Sequence, residues 1–166
     1  MKDYKICLLG DFNARTGVKD DFINVNDYVC NAVQLDNVTK QEYDLVNLDL
    51  LGIDCKRYNL DKSVNNYGNR LLQLCQNLNL LIANGRLGKD RDIGSLTCKE
   101  SSTVDYCILS PVLSSCVANF EICSFDCLIS DVHNALHLEL LRKNVTSVEN
   151  DDNVTNVHAK KIKMGQ

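Results

Sequence analysis

The clearest periodicity in the chain is a single apolar stripe at helical spacing, Leu71, Leu74, Cys75 and Leu78, which recur at i, i+3, i+4 and i+7 and predict one amphipathic helix. Asn65 or Asn66 stands where a side chain can cap its start. The other apolar residues fall in short β-prone runs bounded by Asp, Asn and Gly, at 4–9, 80–83, 94–98, 103–110, 117–125 and 135–141. Pro111 opens a short helical turn over 112–116. Strands in this number around one long helix predict an α/β fold of the α+β sandwich type, with a mostly antiparallel or mixed sheet.

Between these runs, residues 15–66 are rich in Asp and Asn and lack period. They read as long loops with at most short elements, 45–51 foremost. Loops of that length in a compact domain are usually functional surface. After Arg142 the composition turns to Asn, Asp, Val and Thr, ending in Lys160, Lys161 and Lys163. The expected organisation is one domain over residues 1–142 and a disordered tail over 143–166.

Of the 166 residues, 45% are hydrophobic and 24% charged, enough for a packed core. No run approaches the roughly 18 apolar residues of a membrane helix, and residues 1–4 enter a mixed segment without a signal-peptide core. A cytoplasmic or nuclear protein without a membrane role is expected. The nine cysteines are odd in number and form no Cys-x-x-Cys pair, so they read as small, mostly buried hydrophobes rather than a disulfide or zinc framework. The sequons at Asn37, Asn144 and Asn153 read as chance matches in that compartment. A net charge of -4 has the wrong sign for a protein that holds nucleic acid by neutralising phosphates. It suits a site that gathers a hard divalent cation.

Three acids and one amide carry candidate chemistry. Asp11 and Asn13 sit two apart at the end of the first apolar run, after Gly10. In extended backbone both side chains point to the same side. A carboxylate there can take a proton from attacking water, and an amide can donate to a phosphate oxygen. A simple Asx turn is the plain alternative. Asp105 lies inside the apolar run Val104 to Leu109, where its charge requires a partner. Asp131 follows Leu128-Ile129-Ser130, with His133 two places on. The four polar groups Asp11, Asn13, Asp105 and Asp131 are expected to converge on one rim of a sheet. The plain alternative is that each acid caps a strand or faces water.

In order and rough spacing, Gly10-Asp11-Phe12-Asn13-Ala14-Arg15, Ser102-Thr103-Val104-Asp105-Tyr106 and Ser130-Asp131 resemble the C-terminal half of the endonuclease/exonuclease/phosphatase family. The fit is closest to the endonuclease domains of LINE-type retroelements. The stretch Arg57-Tyr58-Asn59-Leu60-Asp61, with Asn65, Gly68, Leu71 and Leu72, is similar to that group with Asn59 in place of Ser, and Asn84-Gly85-Arg86 also looks like it. The resemblance implies the second half of a four-layered α/β sandwich. It implies that Asp11 activates water or holds metal, that Asn13 orients the scissile phosphate, that Asp105 orients a catalytic histidine, and that Asp131 helps bind Mg²⁺ or Mn²⁺. The substrate it implies is nucleic acid, the Arg57 to Leu72 stretch favouring that over the lipid or inositol phosphatases of the same fold.

Two departures shape the expectation. The family's histidine follows its Asp directly, whereas here Val132 intervenes before His133. One extra residue turns a strand side chain to the opposite face, unless a bulge after Asp131 restores it. Further, only nine residues precede Gly10, so the Asn, Glu and Tyr of the family's first half have no counterpart. Metal binding is then expected to be weak, and the domain weakly active or inactive. The alternative is a non-catalytic half-domain pairing through an exposed sheet face with another chain or a separate N-terminal half.

Overall fold

The computed structural model describes residues 4–22, 48 and 51–141. The helix, α1, runs Asn66–Leu78 and is capped at its start by Asn65, whose side-chain oxygen accepts from the Gly68 N–H at 2.7 Å. It ends at Asn79, which takes the left-handed conformation at φ 50° and donates its N–H to the Cys75 carbonyl. The buried face shares Leu71 and Cys75 with the predicted stripe but is turned away from its other two residues. Gly68, Leu71, Leu72 and Cys75 are buried, whereas Leu74 and Leu78 are exposed. Both sets obey the i, i+3, i+4, i+7 rule. The true one starts at a glycine because the helix lies directly against the Arg15 carbonyl, where a Cβ at position 68 would collide.

Strand β1 (Cys7–Asp11), β2 (Leu81–Ile82) and β3 (Asp105–Leu109) form a sheet of order β1-β3-β2, and β4 (Val117–Ile122) pairs with β5 (Leu136–Leu140) in a second sheet. Every named strand pairing among the described residues is antiparallel. The fold is α+β. Pleat alternation sends Tyr106, Ile108 and Ile82 to one face of the first sheet, where they pack with Leu71, Leu72 and Cys75 of α1. Leu9, Cys107, Leu109 and Leu81 go to the other face, against Phe120, Ile122 and Leu138 of the second sheet. The described residues therefore stack as helix, sheet and sheet; a fourth layer is not seen among them.

β2 is short because a side chain takes over its ladder. The Asn84 amide donates to the Asp105 carbonyl at 3.1 Å and accepts from the Cys107 N–H at 3.0 Å, mimicking a backbone group. Residues 94–98, expected as a strand, are instead a loop with isolated bridges at Cys98. Gly94 there has φ +66°, and its backbone presses on Tyr58, where a Cβ would collide. Asp90 ties this loop down, accepting from the N–H groups of Gly85 (2.8 Å) and Ser95 (2.9 Å). The turn after Pro111 is a 3₁₀ helix, Pro111–Cys116. β4 ends at Ile122, three residues before the expected limit, so Phe125 belongs to the loop that follows.

The expected element at 45–51 lies mostly outside the described residues, of which Leu48 and Leu51 are two, the Leu51 N–H donating to the Leu48 carbonyl at 3.0 Å; the 143–166 tail lies wholly outside them. No disulfide joins the described cysteines, and only Cys75 and Cys107 are fully buried, so the expectation of mostly buried thiols fails for the rest. No helix among the described residues is long and apolar enough to cross a membrane.

Polar residues hold the loops. Arg86 and Asp21 form a bidentate ion pair, both contacts 2.8 Å, with no side-chain exposure on either partner. Asp21 also accepts from the Ile82 N–H at 2.6 Å, so the pair anchors the incoming loop to β2. Burial pushes the Asp21 carboxyl up, but Arg86 outweighs it and holds it below the ordinary range. Removing one partner strands a buried charge, so Arg86→Met should cost about 3–5 kcal/mol in urea unfolding followed by circular dichroism. Adding Asp21→Leu should recover most of that loss.

Candidate hydrolytic site at the end of the sheets

The antiparallel register sets Asp11 directly opposite Asp105. Both therefore share the sheet face of Leu9 and Cys107, the one turned toward β4 and β5. Asp105 is buried, while Asp11, at the free end of β1, is exposed. His133 comes from the segment leading into β5. Its ring Nδ1 lies 3.0 Å from Asp105 Oδ2. Carboxylate oxygens of Asp11 and Asp105 and a ring nitrogen of His133 all fall within 4.8 Å of one another.

His133 faces Asp105 even though Val132 intervenes, because 131–132 bend rather than extend. The Ser130 hydroxyl oxygen accepts from the Val132 N–H (3.3 Å) and the His133 N–H (3.0 Å). Past the bend, the Val132 carbonyl accepts from the Lys99 N–H at 2.9 Å and the Asn134 N–H donates to the Thr97 carbonyl at 2.8 Å. Strand alternation does not govern a bend, so the extra residue is absorbed without turning the imidazole away.

Asn13 adjoins Asp11 through a turn, and Asp131 lies outside the three-residue group. Asn13 takes φ 50°, and its N–H donates to Asp11 Oδ1 at 2.7 Å, an Asx turn. The extended backbone expected across 11–13 thus stops at Asp11, and the argument from alternation fails for Asn13. Asp131 is exposed and contributes no atom to the three-residue group. Its charge still reaches the imidazole. The Asp105 hydrogen bond raises the His133 pKa above its ordinary value, partial burial opposes this, and the charges of Asp105, Asp11 and Asp131 add to the rise.

A polar scaffold fixes Asp105 from behind. The Thr97 hydroxyl, fully buried, accepts from the N–H groups of Val104 (3.0 Å) and Asp105 (3.1 Å). Asn84 holds the Asp105 carbonyl. One step further, Asp61 is clamped bidentately by Arg15 at 2.7 Å per contact and accepts from the Thr103 N–H at 3.1 Å. Asn59 accepts from the Thr103 hydroxyl at 3.0 Å and donates to the Gly17 carbonyl at 3.0 Å. The Arg57 to Asp61 stretch is thus a brace between the loop after β1 and the entry to β3. Thr97 and Thr103 were missed as supports because a threonine in a β-prone run looks like any strand residue.

The donor set suits a divalent cation in part. Two carboxylates offer hard oxygen ligands, and an imidazole is more at home with Mn²⁺ than with Mg²⁺. Three donors, one of them already bonded to another, leave most of an octahedral shell to water or substrate.

No protein-family model, curated protein or solved structure matches the chain.

The raised His133 pKa has a definite sign. The Asp105 contact stabilises the fold fully below the unfolded-state value of about 6.5, and that contribution is lost as pH rises through the higher folded value. In metal-free buffer, the His133 ring protons should titrate by NMR with a midpoint above that of a free histidine. Asp105→Asn should bring the midpoint down, and an unmoved midpoint would separate the two residues.

Proposed function

We propose that this chain is a metal-dependent phosphodiesterase of the endonuclease/exonuclease/phosphatase type acting on nucleic acid, with weak turnover or none of its own. The observation that carries this reading is the His133–Asp105 hydrogen bond beside the Asp11 carboxylate.

Asp105 binds one side of the imidazole and selects the tautomer with hydrogen on Nδ1, leaving Nε2 to address a phosphate oxygen. The raised His133 pKa favours a protonated ring, which can donate to the charge that develops on the phosphate oxygens. Asp11, exposed at the mouth, is placed to take the proton from an attacking water. Asn13, whose backbone N–H is bonded to Asp11, and the exposed Asp131 are assigned phosphate orientation and a further metal carboxylate respectively. A bound Mg²⁺ or Mn²⁺ would be held by Asp11 with Asp131 and would polarise the phosphoryl oxygen. The sparse donor set is the reason for expecting weak metal affinity and slow turnover.

A second reading is favoured by β1, which is an edge strand among the described residues. Leu8 on it, and Ile6 and Tyr4 in the segment leading into it, are all exposed. Such an edge can accept a strand from another chain, as a non-catalytic pairing module would. Light scattering decides it: a monomer that binds no surface dye removes this reading.

For the first reading, millimolar Mn²⁺ should broaden the His133 ring signals, and Asp11→Ala should abolish the broadening. Any Mg²⁺-dependent plasmid nicking should fall by about 10²–10⁴-fold in Asp11→Ala and in His133→Ala. Nicking indifferent to Asp11→Ala, or signals untouched by Mn²⁺, would sink it.

A further inference from the structure

The loop between β4 and β5 carries three large apolar side chains in the open: Leu128 is 92% exposed, Ile129 55% and Phe125 47%. One exposed leucine means little, but a cluster rimmed by polar groups marks a contact surface. The loop is also built to present them. Asp126 Oδ1 accepts from the Leu128 N–H at 2.9 Å, and the Asp126 carbonyl accepts from the N–H groups of Ile129 (3.0 Å) and Ser130 (3.1 Å). Ser130 then braces Val132 and His133. An unbroken series of side-chain and turn hydrogen bonds therefore connects the apolar tip to the imidazole on Asp105.

The charges around the tip decide what it can hold. Asp126 and Asp131 belong to the loop itself, and Glu100 sits at the neighbouring loop tip, all exposed. On the same rim, among the described residues, is the exposed cation Lys99, whose backbone N–H is bonded to the Val132 carbonyl. With a net charge of -4 for the whole chain, affinity for a polyanion cannot come mainly from phosphate neutralisation. Apolar wedges and aromatic faces bind bases, but only where bases are unstacked or easily parted.

We infer that the Phe125–Leu128–Ile129 tip is a base-contacting wedge that selects single-stranded or locally unpaired nucleic acid beside the His133 site, with Lys99 as its one phosphate contact. This rests on the phosphodiesterase reading above and adds the substrate form to it.

The test is fluorescence anisotropy in chelator with a labelled mixed-sequence DNA oligonucleotide, single-stranded or as duplex, at several salt concentrations. Wild type should prefer the single strand, with a shallow slope of log affinity on log salt of about -0.7, as for one phosphate. Phe125→Ala, and separately Leu128→Ser with Ile129→Ser, should each weaken single-strand binding about tenfold and shrink the preference over duplex. Lys99→Ala should flatten the salt slope, and Val112→Ser, an exposed apolar change on another element, should alter nothing. These side chains are exposed, so loss of folding is not at issue, and circular dichroism checks it. Duplex bound as well as single strand, a steep salt slope, wedge variants that bind like wild type, or no binding at all would each overturn the inference. If Asp11→Ala abolishes Mn²⁺ broadening while the wedge variants bind unchanged, the inference fails and the catalytic reading stands.

Discussion

The site depends on one cross-strand pair. The β1–β3 register puts Asp11 opposite Asp105, and like charges in that position repel. A sheet tolerates them when a cation or proton donor lies between, and His133 supplies one at 3.0 Å from Asp105. The repulsion, the imidazole contact and the capacity for a divalent ion thus share one origin. Shifting β1 by a single residue would send Asp11 to the face packed on α1 and dissolve all three.

The register is held chiefly by loops rather than by long strands. β2 has two residues and β1 five, so few ladder bonds are available. The missing constraint comes from buried side chains that take backbone roles: Asn84 beside β3, Thr97 on the Asp105 N–H, Asn59 and Asp61 on Thr103, and Arg86 with Asp21 behind β2. Buried polar groups demand partners, so each of these residues specifies one loop conformation more strictly than an apolar contact would. This explains why the described residues at 15–22 and 51–66 show no hydrophobic period despite holding much of the fixed geometry: their order is written in hydrogen bonds.

The rim of the site has the opposite character. Around Lys99 and the 125–131 loop the side chains are exposed, acidic or apolar, and the backbone is held by short turns. The rigid interior thus opens onto a mouth whose exposed charges, Asp11, Glu100, Asp126 and Asp131 beside Lys99, are mostly acidic.

The amino-acid sequence by itself determined the α+β class, a helix ending at Leu78, and the candidates Asp11, Asp105 and His133, because apolar runs and a lone acid inside one of them are local facts. It placed Asn13 on an extended backbone that ends at Asp11, chose a helical stripe of which only Leu71 and Cys75 are buried, and made a strand of 94–98. Each miss has a glycine or an Asx turn behind it: Gly68 admits the Arg15 carbonyl, Gly94 admits Tyr58, and Asp11 caps its own turn. Such effects arise where separate segments touch, and local pattern cannot register them. Tertiary structure alone decided that His133 reaches Asp105 across the intervening valine. That outcome rests on Ser130 bending the chain and on Lys99 and Thr97 receiving it, partners about thirty residues away that no spacing rule could supply.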